Sequence, residues 1–220
     1  GSMRCAGCGS KVGATVLERV LSRLSPIHRE DVIAGLDVRD DASVERIPAG
    51  MVAVRTIDAF PAIVDDPYLF GQITANHCLS DIHAMGADSR TALAIVTLPL
   101  SSDDKMEALL EELLSGAVEV LNAADTALVG GHTTEGSELT LGLSLSGVAD
   151  PARLLRKHGM QSGHQLILTK PIGTGTLFAA HMRLKAKGRW IDGAVKSMLQ
   201  SNHAASICLQ AHGATACTDV

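Results

Sequence analysis

Aromatic residues are nearly absent: one Trp, one Tyr and three Phe in 220 residues. That scarcity argues against an aromatic platform for stacking single-stranded bases. A basic tract is missing too, and the formal net charge is -5, which disfavours nucleic acid or an anionic membrane as the main partner. No apolar run is long enough to span a bilayer. The opening Gly-Ser-Met-Arg-Cys lacks the apolar region of a secretory signal, and Gly1-Ser2 reads as a tag-cleavage scar. Five cysteines, an odd number without a secretory signal, imply reduced thiols and a cytoplasmic setting rather than a disulfide framework. Internal repeats and low-complexity tracts are lacking as well. What the chain has in quantity is Ala, Leu, Val and Ile, at a length sufficient for one large or two small domains.

The apolar residues alternate between helical and strand spacing, the mark of an α/β chain. Residues 1–11 are rich in Cys and Gly and without period; they read as a flexible loop. Val12 to Leu24 has helical spacing. Val32 to Val38 and Met51 to Ile57 are expected strands, separated by a turn at Pro48-Ala49-Gly50. Pro67 to Met85 is an expected helix, with Pro67 suited to its first turn. Ala92 to Leu98 is a β-rich apolar run. Asp103 to Asn122 is amphipathic, with its acidic residues toward the N-terminal end, where the dipole favours them. Ala127 to Val129 and Leu139 to Val148 are expected strands, and Gly130-Gly131 between them predicts a sharp turn. Asp-Pro, His-Gly and Ser-Gly pairs interrupt the pattern over residues 149–163, a plausible boundary. Beyond it, Gln165 to Thr169 is an expected strand, Lys170-Pro-Ile-Gly-Thr-Gly leads into a helix, Trp190 to His212 is largely helical, and Ala214 to Thr218 starts another strand. A second domain ending there is expected to be incomplete.

The most informative stretch is Asn76-His-Cys-Leu-Ser-Asp-Ile-His-Ala-Met-Gly86. As a helix it places Asn76, His77, Ser80 and Asp81 on one stripe, with Ala75, Cys78, Leu79, Ile82 and Met85 opposite. A helix this apolar should be mostly buried, and a buried polar stripe is costly unless it is satisfied. It therefore either meets water or asks for a cation, an amide or a phosphate–metal complex. Carboxylates recur at strand ends: Asp37, Asp40 and Asp41, then Asp58, with Asp81 on the helix and Asp219 at the end. Scattered carboxylates without His-Cys clustering suit Mg²⁺, which takes one or two of them and completes its shell with water and phosphate oxygens. Each Asp taken singly serves equally well as a turn or cap residue. Gly130-Gly131-His132-Thr133 offers unobstructed backbone N–H groups for a phosphate or simply makes a turn; it is neither a Walker loop nor a Rossmann fingerprint. Cys5-Ala-Gly-Cys8 lacks the second ligand pair of a zinc site. What remains is a thiol with Lys11 three residues on, whose ammonium would raise the thiolate fraction, or an incidental surface cysteine.

Taken in order, Ala6-Gly-Cys-Gly-Ser-Lys11, Arg39-Asp-Asp-Ala42, Thr56-Ile-Asp58, Asn76 through Gly86, Val129-Gly-Gly-His-Thr133, Leu168-Thr-Lys-Pro-Ile-Gly-Thr-Gly175 and Thr218-Asp-Val220 resemble the selenophosphate synthetases (selenide, water dikinases) of the aminoimidazole ribonucleotide synthetase superfamily. The resemblance covers nearly the whole chain. It implies an α/β fold of the aminoimidazole ribonucleotide synthetase-like kind: a mixed sheet with covering helices, pairing with a second copy into a dimeric β-barrel. It implies an ATP-binding domain over residues 12–155 and the start of a second domain over 156–220. It implies that ATP, selenide and water become selenophosphate, AMP and phosphate. Cys8 and Lys11 match the catalytic pair. Asp41, Asp81 and Asp219 match Mg²⁺-binding aspartates, and Asp58 a further metal and nucleotide contact. Val38, Arg39, Asp40, Asn76, Asp81, Gly131, His132 and Thr133 match the nucleotide site, with Lys11 on the phosphates. Cys5 departs from the family pattern, and Ser10 stands where some members carry Cys. The rival readings are a thiamine-phosphate kinase or aminoimidazole ribonucleotide synthetase type of enzyme, and a dimeric nucleotide-binding fragment that turns nothing over.

Overall fold

The computed structural model describes residues 12–38 and 40–220. Helix α1 (Ala14–Arg23) is followed by two short strands, β1 (Val32–Ala34) and β2 (Val44–Glu45), paired antiparallel. Then come β3 (Val52–Pro61), α2 (Pro67–Ala84), β4 (Asp88–Pro99), α3 (Asp103–Ala123), β5 (Ala127–Gly136) and β6 (Thr140–Ala149). The four long strands form one mixed sheet in the order β3-β6-β4-β5. β6 runs antiparallel to both β3 and β4, and β4 runs parallel to β5 across the α3 connection.

Strand alternation gives this sheet two unlike faces. Leu141, Leu143 and Leu145 of β6 stand opposite Phe60, Asp58 and Thr56 of β3 and Val96, Ala94 and Ala92 of β4. The three leucines are buried under α2 and α3. The other face carries Ile57, Ser144, Leu93 and Gly130 in one row and Ala59, Gly142, Ile95 and His132 in the next. Ile57, Leu93 and Ile95 are exposed there. Glu45 of β2 covers one end of that face, accepting from Thr91 Oγ1 at 2.8 Å and from Ser146.

α2 is buried nearly all round, because it has the sheet and α3 on one side and later helices on the other. Asp66 caps it, accepting from the Leu69 N–H at 2.9 Å, with Pro67 at its first turn. α2 and α3 meet backbone to backbone: a Cβ on Gly71 would lie 2.0 Å from the Leu113 carbonyl oxygen, and one on Gly116 2.0 Å from that of Tyr68. α1 is clamped to α3 by Arg19 on Glu107 and Arg23 on Glu107 and Glu111.

Residues beyond 149 add α4 (Thr174–Met182), α5 (Gly188–Leu199) and α6 (His203–Ala211), of which α5 and α6 rest on α2. Several expectations need correction. Gly130-Gly131 is not a turn: β5 runs through it, with Val129 as an extra residue opposite the Ala92–Leu93 step. Glycine is required there because a Cβ on Gly131 would lie 2.1 Å from the Ala94 carbonyl oxygen. Gln165 to Thr169 and Ala214 to Thr218 are not strands, for they find no ladder partner among the described residues. The first strand ends at Ala34, and β2 is too short to show a period. The helix expected from Trp190 to His212 breaks at 200–202. No helix among the described residues is long and apolar enough to cross a membrane.

Candidate nucleotide and cation site

The inward face of β3 supplies Thr56 and Asp58, two residues apart and both partly buried between exposed neighbours. Asp81 reaches them from α2: Thr56 Oγ1 donates to Asp81 Oδ2 at 2.5 Å. Burial first, and then the Asp81 carboxylate, push the Asp58 carboxyl above the usual range, with Asp219 adding to the effect. His77 opposes it, its Nε2 3.8 Å from Asp58 Oδ2. The His77 ring is held edge-on against Phe60, centroids 5.3 Å apart. Asp219 arrives from the opposite end of the sequence. With Thr56, Asp81, Arg55, Lys157 and Cys217 it lines a cavity of about 210 Å³. Thus Asp58 is close enough to feel the charge of both Asp81 and Asp219, the last 161 positions away in sequence.

The chemistry of this donor set fits a hard cation. Burial and neighbouring carboxylates both disfavour charge on Asp58, and Mg²⁺ would offset this through oxygen ligands, of which one or two need come from protein. Among the described residues no three His, Cys, Asp or Glu side chains are already gathered at ligating distance, so the fit is to an ion shared with phosphate oxygens and water. Arg55 and Lys157 in the same cavity offer positive charge to an anionic ligand. The thiol behind the site is inert: burial pushes Cys78 up to about 12, and its Sγ lies 3.8 Å from the Asp58 carbonyl oxygen.

The other expected residues are dispersed. Val38, Asp40 and Asp41 are exposed on a stretch after β1. The Asp41 N–H donates to Asp40 Oδ1 at 3.0 Å, and Asp41 lines neither this cavity nor the larger groove beside it. Gly131, His132 and Thr133 lie on β5, the sheet edge opposite β3. Three strand spacings, roughly 14 Å, separate the two edges. Asn76 is buried, and its amide donates to the carbonyls of Met198 at 2.5 Å and Gln200 at 3.1 Å, holding the end of α5. Lys170 donates to the same region, to Gln200 at 2.7 Å and Ser197 at 3.2 Å, and burial lowers its pKa. Cys8, Lys11 and Arg39 lie outside the described residues.

Sequence reasoning assigned no role to Thr56, Lys157, Arg55 or Cys217. Thr56 sits in the Thr56-Ile-Asp58 motif, and its spacing from Asp58 puts both on one strand face; nothing in the sequence marks Lys157 or Cys217. A groove of about 1060 Å³ between α2 and residues 164–176 shares Lys157, Cys217 and Asp219 with the smaller cavity.

The sheet order and its covering helices define the class: an α/β domain of the aminoimidazole ribonucleotide synthetase-like fold. The chain belongs to the family described as AIR synthase related protein, N-terminal domain, which matches residues 39–149. Among curated proteins it is similar to a selenide, water dikinase of Pelobacter propionicus, 39% identical over 219 residues, covering 100% of this chain and 62% of the relative. A selenide, water dikinase of Aliarcobacter butzleri is 36% identical over 99% of this chain and 62% of its own length. One of Nitratidesulfovibrio vulgaris (strain Miyazaki F) is 42% identical over 81% of this chain and 51% of its own. The chain thus spans about three fifths of the length of the first of these relatives. Among solved structures, thiamine-monophosphate kinase of Stenotrophomonas maltophilia K279a superposes with a TM-score of 0.69 at 21% identity, covering 90% of this chain and 63% of that one. The hydrogenase maturation protein HypE in complex with ATP gives 0.55 at 16% identity, over 70% of this chain and 46% of that one. At these identities the two structures speak to the fold alone.

Proposed function

We propose that the chain is the nucleotide-binding part of a selenide, water dikinase, a phosphotransferase with paired acceptors that converts ATP, selenide and water to selenophosphate, AMP and phosphate. The observation that carries this reading is the meeting of Asp81 and Asp219 in one cavity, with Asp58 close enough to feel both, in a chain 39% identical to a relative of that name over its whole length. In this reading Asp81 and Asp219, with Asp41 and Asp58, hold Mg²⁺, which when bound neutralises charge on the phosphoryl groups. Lys11 contacts the phosphates, and Val38, Arg39, Asp40, Asp58, Asn76 and Asp81 line the nucleotide. Cys8 handles selenium. Residues 12–155 form the ATP-binding domain and 156–220 open a second one.

The sheet supports a homodimer as the working unit. Ile57, Leu93 and Ile95 form an exposed apolar face, the face that a dimeric β-barrel would close. Gly131, His132 and Thr133 lie at the edge opposite Asp58. They serve the same nucleotide as Asp58 most directly when a second copy brings its own β5 to this copy's β3. Selenide and ATP are then the small-molecule partners, with no nucleic acid or membrane, and the setting is cytoplasmic.

The test is anaerobic incubation of the intact protein with ATP, Mg²⁺ and selenide, with nucleotides separated by chromatography. Selenide-dependent AMP is the expected product. ADP alone would contradict the reading and point to a kinase or ligase of the thiamine-phosphate kinase or aminoimidazole ribonucleotide synthetase type; ATP binding without product would leave only a nucleotide-binding fragment.

A further inference from the structure

We infer that Thr56 is a positioning residue for Asp81, fixing which carboxylate oxygen faces the cation. This rests on the proposed reading of the cavity as a nucleotide and cation site. The contact is specific: Thr56 Oγ1 lies 2.5 Å from Asp81 Oδ2, across the packed seam between β3 and α2. Each partner is anchored by its own element. Thr56 is β-branched on a strand, where its side chain has few rotamers, and its register opposite Leu145 turns it toward α2. Asp81 sits in the penultimate turn of a helix that is buried over most of its length.

An aspartate on a helix next to an open cavity can turn either oxygen outward. A hydroxyl donating to Oδ2 removes that freedom and leaves Oδ1 for an incoming ligand. The same bond gives Asp81 a neutral donor in a site where the Asp58 carboxyl is close enough to feel its charge. Thr56 thus sets the direction of one ligand. Such outer-shell partners of metal-binding carboxylates control affinity by about 10–100-fold.

The alternative is that the hydroxyl only helps β3 and α2 pack. Three forms separate the two: wild type, Thr56→Ser, which keeps the hydroxyl, and Thr56→Val, which keeps the shape. Mn²⁺ binding is followed by water-proton relaxation in the presence of a non-hydrolysable ATP analogue, together with metal-free binding of the analogue and the urea midpoint. Thr56→Val is expected to weaken Mn²⁺ binding about tenfold or more, with analogue binding in the absence of metal changed less than twofold; Thr56→Ser stays within about threefold of wild type. Equal Mn²⁺ affinity in wild type and Thr56→Val, whatever happens to the urea midpoint, overturns the inference while the site reading stands. Equal loss in Thr56→Ser and Thr56→Val also overturns it, since the hydroxyl would then not be the cause. A wild type that takes up no Mn²⁺ overturns the site reading itself, and the role of Thr56 with it.

Discussion

The two parts of this chain are built on different principles, and α2 belongs to both. Up to residue 149, strands and helices bury a continuous core: Leu141, Leu143, Leu145, Leu110, Leu113 and Leu121 are all 1% exposed or less. After it, Leu155 and Ala194 are the only buried apolar residues among the described ones. Leu166 is 84% exposed, Leu184 94%, and α4 has no buried residue. That second part is held to α2 and its end by polar bonds to specific atoms. Asn76 holds the α5 terminus, Asn202 Nδ2 donates to Ser80 Oγ at 2.9 Å, Ser206 Oγ to the His83 carbonyl at 2.5 Å, and Gln210 to the Gly86 carbonyl at 2.8 Å. Hydrophobic burial stabilises the first part collectively, whereas the second depends on a few directed contacts, each worth on the order of 1 kcal/mol. The Asn and Ser residues that gave the Asn76–Gly86 helix its polar stripe therefore anchor a neighbouring segment, while Asp81 on the same stripe is left for the cavity.

The comparison breaks first where the core has no slack. Gly116→Ala puts a Cβ 2.0 Å from the Tyr68 carbonyl oxygen, a backbone atom that cannot swing away. Separating α2 from α3 is expected to cost about 3 kcal/mol or more, read as a lowered urea midpoint for the sheet domain. A midpoint unchanged from wild type would show that the helices do not meet so closely.

A smaller, pH-dependent effect sits at the join. His83 is 3% exposed, with both ring nitrogens lacking a partner among the described residues and the His203 ring 5.0 Å away. Burial lowers its pKa from 6.5 to about 4, and His203 adds to the shift. The unfolded chain therefore takes up the proton first as pH falls. Stability is lost progressively from about pH 6.5 to pH 4 and is flat in this respect below. The loss amounts to at most about 3 kcal/mol. His83→Phe should remove that slope in urea titrations at pH 7, 5.5 and 4. Parallel slopes for wild type and variant would mean that His83 is not buried neutral.

Much of this was legible in the sequence because it rests on period and composition. The helices from Pro67 and from Asp103 announce themselves by spacing and caps, and Asp58 and Asp81 by the motifs around them. The second part was less so. Gln165 to Thr169 has the composition of a strand, but a strand is a pairing, and no residue in the sequence says whether a partner is at hand. Gly130-Gly131 reads as a turn because two glycines usually make one; here glycine answers to the nearness of Ala94 on the next strand. Asn76 matches a phosphate-site residue, and its amide also holds two carbonyls 122 and 124 residues away, a partnership no local pattern encodes. Thr56 is the converse case: its strand face was readable, but its partner 25 residues on was not.

The central claim is that carboxylates remote in sequence serve one cation. It is tested most directly by soaking crystals of the protein with Mn²⁺ and a non-hydrolysable ATP analogue and locating the metal by its anomalous scattering. The account predicts a peak within about 2.3 Å of a carboxylate oxygen of Asp81, with Asp219 on the same ion directly or through water. A bound analogue whose metal sits elsewhere, with Asp81 and Asp219 turned away from it, would contradict the account.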